Sequence, residues 1–358
     1  MSRKLLNFDL SLLVPVAILL VLSLSTLYLI NFEYFKTQLI FLVISVLFFI
    51  FFSFANYRIL KVYALPIYIF SLVALLLVLF LGLEARGSVR WVEFFGFRAQ
   101  FSEILKPFLA ISLSTFLMTR KNNLKHFLSV VLLMVPILFL IFLQPDLGNT
   151  LIYLFVVVLS LFFFGFSYRY FASALALILI GIPFFWNFLH GYQRQRILTF
   201  LNPANDPLGS SYNAIQSLIT VGSGMFMGRG LGQGTQSSLS FLPERHTDFI
   251  FATISEQFGF LGDFLILICF AVIFYRIFII YKNSDNDFCR IFAAITFFIL
   301  LVQFFFNIGM NIGVLPIVGI TLPFVSYGGS SLLSNFILLG FLMAVSTSEK
   351  QSDVLQIR

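Results

Sequence analysis

Four ionisable side chains stand directly before an apolar stretch of the sequence. Glu244, Arg245, His246 and Asp248 fall within five positions of the segment LPERHTDFIFATISEQFGFLG. Carboxylate, guanidinium and imidazole groups exchange protons or pair with anions, and such groups concentrate at functional sites. The cluster is therefore a candidate site with Asp248 at its centre, although the helix dipole would favour an acidic residue near a helix start whatever its function.

Other charged residues lie close to the ends of apolar stretches. They are Arg90 in GSVRW, Glu103 and Lys106 in FSEILKP, Asp146 in QPDLGN, and Arg194 and Arg196 in YQRQR. All of these except Arg90 have an ordinary alternative explanation. The pair in FSEILKP could be a satisfied ion pair three residues apart on one helix face, the aspartate in QPDLGN could cap a helix, and the arginines in YQRQR could face lipid headgroups. Their predicted collection on one membrane face is the stronger indication of a site.

Small residues follow Asp248 at helical spacing. Ala252, Ser255 and Gly259 would share one face of a helix that begins at Asp248. A stripe of this kind allows a second backbone to approach closely. It predicts that Asp248 faces protein or a cavity rather than lipid.

The composition is that of a membrane protein. Of 358 residues, 60% are hydrophobic and only 10% are charged, whereas a soluble domain has about 25% charged residues. The two cysteines and three separated histidines fit neither a disulfide framework nor a metal-ligand spacing. No dinucleotide, phosphate-loop or HExxH motif is present.

Apolar stretches long enough to cross a bilayer predict an all-α polytopic membrane protein with ten transmembrane helices, forming one domain over residues 1–358. The predicted spans are Leu10–Ile30, Gln38–Phe54, Val62–Leu81, Ile104–Met118, Phe127–Leu143, Thr150–Phe166, Tyr170–Leu189, Phe249–Tyr275, Ile291–Gly309 and Ser326–Val345. The first is too long for a signal peptide and lacks a cleavage motif, so we interpret it as a retained span.

The distribution of basic residues predicts the orientation. Lys and Arg are in excess in the pieces that lie on the same side as the N-terminus, which is the cytoplasmic side under the positive-inside rule. Both termini are then cytoplasmic, and residues 190–248 form a long extracytoplasmic loop between the seventh and eighth spans. The net charge of +7 follows from this bias and requires no nucleic-acid partner.

The segment Asn307–Ser331 is apolar but repeatedly interrupted by glycine and proline. A continuous helix does not tolerate this density of breakers. Irregular backbone at membrane depth persists only when it is buried in protein or lines a cavity. We predict a segment that dips inward among the helices; the alternative is an ordinary loop between two spans.

Six motifs together closely resemble the SEDS family, the RodA/FtsW cell-shape and division proteins. They are GSVRW, FSEILKP, QPDLGN, YQRQRILTFLNP, FLPERHTDFIFATISEQFGFLG and GITLPFVSYGGSS, and they extend over nearly the whole chain. The motif PERHTDFIF is more similar to the RodA, or elongation, branch of the family than to the FtsW branch. Asn149 stands where the family pattern has threonine, a small departure.

The resemblance implies a peptidoglycan glycosyltransferase of the bacterial inner membrane that polymerises lipid II during cell elongation. Family members work with a class B penicillin-binding protein, which crosslinks the strands. The aspartate that the family requires corresponds to Asp248, which would be the general base for the acceptor hydroxyl. The departing lipid diphosphate needs cations or a metal. The cationic candidates are Arg90, Lys106, Arg194, Arg196 and Arg245.

The same resemblance suggests the rest of the site. Glu103, Lys106 and Asp146 would line the cavity and hold substrate or a divalent cation such as Mg²⁺. His246, Ser326 and Ser330 are further substrate-binding candidates. Two other functions stay open, a transporter that moves lipid II between leaflets and a non-catalytic membrane scaffold for the penicillin-binding protein.

Overall fold

The computed structural model describes residues 9–85, 88–94, 97–118, 122–187, 191, 194, 198, 211–239 and 241–356. Its helices are α1 (Leu10–Ile30), α2 (Phe32–Ser53), α3 (Tyr57–Val62), α4 (Ala64–Leu81), α5 (Phe101–Ile104), α6 (Lys106–Leu117), α7 (Leu124–Leu143), α8 (Leu147–Phe163), α9 (Tyr168–Trp186), α10 (Tyr212–Ser223), α11 (Thr235–Ser238), α12 (Ile250–Asn283), α13 (Asp287–Asn311) and α14 (Gly329–Gln356). Its strands are β1 (Leu83–Ala85), β2 (Ser88–Phe94) and β3 (Phe97–Gln100).

The predicted membrane architecture is confirmed. Within the described ranges, seven helices are long and apolar enough to cross a bilayer, namely α1, α2, α4, α7, α12, α13 and α14. Three shorter apolar helices, Lys106–Leu117, Leu147–Phe163 and Tyr168–Gly181, coincide with the fourth, sixth and seventh predicted spans. The chain is therefore a multi-pass membrane protein, as its composition predicts.

Some helix ends lie beyond the predicted spans because hydropathy does not detect polar helical turns. Helix α2 begins at Phe32, ahead of the predicted start at Gln38, and the Asn31 side chain caps it by accepting a hydrogen bond from the backbone N–H of Glu33 at 2.8 Å. Helix α14 similarly continues past Val345 through polar residues, whereas α12 continues past Tyr275 through the mostly apolar RIFIIYKN, which the predicted span left out.

Helices α13 and α14 form the centre of the bundle. In their most apolar windows 72% of α13 and 83% of α14 residues are buried, against 17% for α2. Helix α14 packs along α2, and α13 packs between α12 and α8. The segments that connect these two central helices to their neighbours can therefore be held from several sides at once.

A small antiparallel sheet, which we did not predict, follows α4. Strand β2 pairs with β1 and β3, with Trp91 opposite Leu83 on one side and Gln100 on the other. The sequence of β2 lacks the strict polar–apolar alternation of a half-buried strand. The sheet matters because β3 ends at Gln100 and leads directly into α5, which fixes the start of the FSEILKP motif.

The described part of the 190–248 loop is ordered by helices α10 and α11 and by contact with α12. Backbone bonds join Arg229 N–H to Glu256 O at 2.9 Å and Phe260 N–H to Met225 O at 2.9 Å. These bonds confirm the predicted approach of a second backbone. The expectation of one uninterrupted helical face is wrong, because Gly259 has φ 66° and ψ −161° and breaks the helix there.

The predicted break in Asn307–Ser331 is confirmed. Helix α13 ends at Asn311 and α14 begins only at Gly329. The buried hydrophobic side chains between them are Val318, Ile320, Leu322, Phe324 and Val325, and Ser326 is buried as well. Residues 312–314 are exposed, whereas 322–326 are buried inside the protein, so the alternative of an ordinary surface loop does not hold for the second half. The irregular stretch, residues 312–328, is called the re-entrant segment below.

Replacing Gly259 by alanine is expected to destabilise the protein. The backbone angles are accessible mainly to glycine, which costs about 1–3 kcal/mol for another residue, and the new β-carbon would lie 2.7 Å from Phe226 O. The matched control is Gly222→Ala, since that β-carbon meets no atom within 4 Å and alanine favours helices. Thermal unfolding in detergent should show a lower midpoint for Gly259→Ala only; equal midpoints would contradict the strained conformation.

Candidate functional site

The backbone that precedes Asp248 is held by the re-entrant segment. The carbonyl of His246 accepts a hydrogen bond from the backbone N–H of Tyr327 at 2.9 Å. The carbonyl of Thr247 accepts one from the hydroxyl of Ser326 at 2.7 Å. The same hydroxyl oxygen accepts a bond from Leu322 N–H at 2.8 Å. Ser326, a predicted substrate-binding residue, therefore serves to connect two segments of backbone.

The backbone of Asp248 itself is fixed by two asparagines of α13. Its carbonyl accepts hydrogen bonds from the Nδ2 atoms of Asn307 at 3.1 Å and Asn311 at 3.0 Å. Asn307 also donates to Ile320 O at 2.7 Å, and Asn311 Oδ1 accepts from Ala252 N–H at 3.2 Å. Both asparagines are fully buried, so they fix the entry into α12 relative to the bundle core.

Asp248 is half-buried, and its carboxylate lies beside the re-entrant segment. A β-carbon placed on Gly319 would lie 3.4 Å from Asp248 Oδ2. Gly319 has φ 74° and in turn packs against Gly148 in α8, whose β-carbon position is 3.0 Å from the carbonyl oxygens of Val318 and Gly319. The two glycines bring the start of α8, with Asp146 before it, close to Asp248.

Asp146 is both a helix cap and the centre of a polar cluster. Its Oδ1 accepts a bond from Asn149 N–H at 3.2 Å, so the predicted capping of α8 is confirmed. Its Oδ2 accepts from Gln100 Nε2 at 2.7 Å, Ser102 Oγ at 2.9 Å and Asn149 Nδ2 at 3.0 Å. Asn149, the departure from the family pattern, is thus a working member of the cluster.

Arg90 and Ser330 hold the surrounding backbone. Arg90 donates from Nε to Gln144 O at 3.2 Å and from its terminal nitrogen to Pro145 O, so it fixes the turn that precedes Asp146. Ser330 Oγ accepts a bond from Gln100 N–H at 3.0 Å. Both predicted site residues lie in the same cluster, and both hold backbone within it.

Glu103 and Lys106 form a buried ion pair. Nζ of Lys106 lies 2.5 Å from Glu103 Oε2, and the side chains are 1% and 8% exposed respectively. Leu105, between α5 and α6, keeps helical dihedral angles and bonds Phe101 O through its N–H and Leu109 N–H through its carbonyl, so the pair stands three residues apart on nearly continuous helix. The distance and the burial confirm the alternative of a satisfied ion pair. In the sequence, Glu103 directly follows Ser102, which donates to Asp146.

His246 is enclosed by aromatic rings. Its ring stacks on Tyr34 with centroids 4.3 Å apart and planes 9° apart, and Tyr327 lies 5.4 Å away on a tilted plane. Helix α2 therefore contributes to the site through its polar first turns. The side chain of Gln38 adds to this contact by accepting from Gly328 N–H at 3.2 Å.

The remaining predicted cations have different surroundings. Partial burial lowers the pKa of Arg245 from its ordinary value, with Tyr34 opposing that effect, and Arg245 O accepts from Thr253 Oγ1 at 3.0 Å. Arg194 donates to Asn187 O at 2.8 Å, which ties it to the end of α9. Arg196 lies outside the described residues.

A divalent cation at the site stays a prediction, since Mg²⁺ is usually bound by one or two carboxylates together with waters and substrate phosphates. Both oxygens of Asp146 already accept hydrogen bonds, and Glu103 is paired with Lys106. Across the ranges that the structure describes, no group of three or more His, Cys, Asp or Glu side chains could hold a metal ion.

Several residues of the site escape sequence reasoning. They are Tyr34, Gln38, Gln100, Ser102, Asn307, Asn311 and Tyr327. All are uncharged, and single polar residues within apolar spans have many ordinary uses. The available signal was the pair Asn307 and Asn311, which lie four apart on one helix face and are expensive to bury without partners.

Replacing Asn311 by alanine is expected to loosen the entry into α12. The change removes one donor to Asp248 O and the acceptor for Ala252 N–H, and a buried polar group without its partner costs about 1–3 kcal/mol. The thermal unfolding midpoint should fall. Asn283→Ala, at the exposed end of α12, is the matched control, and an equal effect of both changes would contradict the anchoring role.

Comparison with known proteins identifies the family. The chain matches the model of the FtsW, RodA and SpoVE cell cycle proteins over residues 3–351. It is 38% identical over 301 residues to the peptidoglycan glycosyltransferase MrdB of Escherichia coli K12, covering 82% of this chain and 80% of that protein. It is 36% identical over 273 residues to a probable peptidoglycan glycosyltransferase FtsW of Wigglesworthia glossinidia brevipalpis, with coverage of 74% and 71%.

Solved structures agree with this match. One similar chain comes from a peptidoglycan synthase complex that was solved to show the structural coordination of polymerization and crosslinking. Its TM-score is 0.84 at 30% identity, and the match covers 97% of this chain and 99% of that one. The rod shape determining protein RodA of Thermus thermophilus has a TM-score of 0.73 at 26% identity, with coverage of 96% and 98%. The resemblance of the motifs is confirmed, and the chain belongs to the FtsW/RodA/SpoVE family of membrane proteins.

Proposed function

We propose that this protein is a peptidoglycan glycosyltransferase that polymerises lipid II into glycan strands during cell elongation. The relatives named above supply the reaction class. One observation of the structure carries the proposal for the site: the half-buried carboxylate of Asp248 lies where a polar loop enters an apolar helix, on a backbone fixed by buried partners. A site for two membrane-anchored substrates needs this position at the edge of the bilayer.

The proposed step is a proton transfer coupled to substitution at the anomeric carbon. A hydroxyl of the acceptor sugar forms the new C–O bond and gives its proton to the Asp248 carboxylate. The bond from the anomeric carbon to the lipid diphosphate breaks, and its electron pair leaves with the diphosphate oxygen. A positioned base contributes about 10²–10⁴-fold to such a reaction, and membrane tethering of both substrates lowers the entropic cost of their encounter.

Cationic groups near the cluster would stabilise the departing diphosphate. Lys106 binds Glu103 with its ammonium group and its side chain is 1% exposed, so in this structure it neutralises the Glu103 carboxylate rather than facing a substrate. Arg245 lies three positions before Asp248 and is partly buried. Arg90 instead directs its donors to backbone carbonyls, which makes it a positioning residue for the Asp146 turn.

Location and partner follow from the same reasoning. The excess of basic residues on the N-terminal side supports cytoplasmic termini and an extracytoplasmic site in the inner membrane. A class B penicillin-binding protein is the proposed partner, since the neighbouring structure comes from a complex that coordinates polymerization and crosslinking.

A second candidate function, movement of lipid II between leaflets, has one observation in its favour. The re-entrant segment is irregular backbone inside a helical bundle, and broken helices of this kind form transport sites in membrane proteins. Leaflet-exchange kinetics in proteoliposomes test it. Exchange by wild-type protein that persists in a variant unable to polymerise would establish transport as a separate activity.

The Asp248→Asn substitution is expected to reduce glycan polymerisation by about 10²–10⁴-fold, because the amide cannot accept the proton. The backbone anchors of residue 248 are unchanged, so the thermal midpoint should stay close to wild type. The assay is polymer formation from lipid II by the purified protein together with its crosslinking partner. The control is Asp285→Asn at an exposed position between α12 and α13.

Full activity of Asp248→Asn would remove this carboxylate from the mechanism. If glycan strands then still formed at the wild-type rate in the complex, the protein would have to be interpreted as a scaffold for its partner or as an enzyme with another base.

The Glu103–Lys106 pair can be separated into stability and function by a double-mutant cycle. Glu103→Gln and Lys106→Gln should each destabilise the protein by about 3–5 kcal/mol, because each leaves a buried charge unpaired. The double variant should regain stability, since no charge is left unpaired, yet still polymerise poorly if the ammonium group binds substrate. A stable double variant with wild-type polymerisation would assign the pair a purely structural role.

A further inference from the structure

The glycine-rich loop, residues 224–234, joins α10 to α11 and carries three adjacent apolar residues that are exposed. Met225 is 80% exposed, Phe226 57% and Met227 72%. The contacts described above for Asp248 and Asp146 use none of the three. A contiguous exposed apolar surface marks a site of interaction with protein or membrane, so this cluster needs an explanation of its own.

The level of the loop relative to the bilayer follows from α1 and α12. Arg276 of α12 donates to Asp9, which directly precedes α1, at 3.1 Å. At the other end of α1, Leu29 lines the same cavity as Gln257 of α12. Helix α1 has 21 residues, which at about 1.5 Å per residue span about 31 Å, and the hydrocarbon core is about 30 Å thick. Gln257 and the break at Gly259 therefore lie near the edge of the hydrocarbon that is opposite the N-terminus.

The exposed cluster is joined to α12 at this level. The backbone N–H of Phe260 donates to Met225 O at 2.9 Å. Phe226 stacks on Phe260 with ring centroids 5.8 Å apart, and Phe260 stacks on Phe264 with centroids 5.9 Å apart. Phe260 and Phe264 are exposed on the membrane-spanning helix α12, where the surroundings are lipid. The apolar surface of the loop therefore continues the lipid-facing surface of the helix.

A cation stands next to the apolar cluster. Arg229 is exposed, and its Nε donates to Ser223 O at 3.1 Å. Its backbone N–H donates to Glu256 O at 2.9 Å, which fixes it beside α12. At a membrane surface, an arginine keeps its guanidinium group among the headgroups while apolar neighbours enter the acyl region. Apolar residues with an adjacent cation are therefore the composition that a lipid interface selects.

We propose that residues 225–227 are a membrane anchor, which inserts into the acyl chains of the leaflet opposite the N-terminus, beside Phe260 and Phe264, with Arg229 at the lipid phosphates. The partner of this surface is the lipid itself. The inference goes beyond the proposed function and does not rest on it, because it uses neither Asp248 nor a substrate. The loop that is bonded to both sides of the break in α12 is thereby attached to the bilayer as well.

Spin labels on introduced cysteines test the anchor in the full-length protein, in nanodiscs of phosphatidylcholine and phosphatidylglycerol. The two native cysteines are buried, so labelling should be confined to Met225→Cys or Met227→Cys. For both labels, collision with molecular oxygen, which concentrates in lipid, should exceed collision with a water-soluble nickel complex several-fold. Leu267→Cys on the exposed face of α12 is the lipid control, and Asp285→Cys in the polar connection between α12 and α13 is the water control.

The depth of the anchor is measured with a tryptophan in place of Phe226. The fluorescence that Phe226→Trp adds to that of the wild-type protein, which has two tryptophans, should be quenched by brominated lipids. Bromine close to the headgroup should quench more strongly than bromine at the chain ends, because the loop lies at the edge of the hydrocarbon. Since residues 225–227 are exposed, these substitutions should leave the unfolding midpoint unchanged.

Labels at 225 and 227 that behave like the Asp285→Cys label would place the loop in water and overturn the proposal. Labels that neither reagent reaches would show that protein covers the cluster, which would overturn it as well. The outcome is separable from that of the proposed function, because Asp248→Asn should leave the accessibility of both labels unchanged while it polymerises poorly. Lipid insertion in a protein that never polymerises would leave the anchor standing and sink the polymerase, and polymerisation with the loop in water would do the reverse.

Discussion

The structure depends on one constraint, the capture of three successive backbone carbonyls at residues 246 to 248 by the end of α13 and the segment that follows it. The entry into α12 is not a regular turn and cannot satisfy these oxygens itself. Its partners are the backbone of Tyr327, the hydroxyl of Ser326 and the amides of two buried asparagines. A carboxylate mounted on backbone fixed in this way has little freedom to move, which is the condition for preorganised catalysis.

The second half of the site is organised around a saturated carboxylate. Asp146 caps α8 and also receives side-chain donors from the segment that follows β3 and from Asn149. A carboxylate that already accepts four hydrogen bonds is better suited to hold segments together than to exchange protons. The two halves meet through the close glycine contact of Gly148 with Gly319, so the proposed base and this structural aspartate are held at a fixed separation.

The sequence allowed most of the fold to be predicted, because long apolar stretches in this composition have few alternatives to membrane helices. The charged candidates were recognisable for the same reason: charge near hydrocarbon is expensive. The small sheet was missed, since β2 has no clear alternation of polar and apolar residues. The uncharged partners, such as Tyr34 and Asn307, were missed because their importance comes from contacts distant in sequence. Spacing also could not show that Gly259 interrupts α12, as the same residue at the same interval fits an unbroken helix.

The break of α12 at Gly259 gives the glycine-rich loop a structural role. Residues on both sides of Gly259 are bonded to the loop: Glu256 and Gln257 through their carbonyls, and Phe260 through its N–H. The loop therefore bridges the break in α12, and its hydrogen bonds hold the two parts of the helix at their relative angle. Asp248 lies directly before the shorter part of α12. A protein that bound the loop and changed this angle would therefore change the position of Asp248.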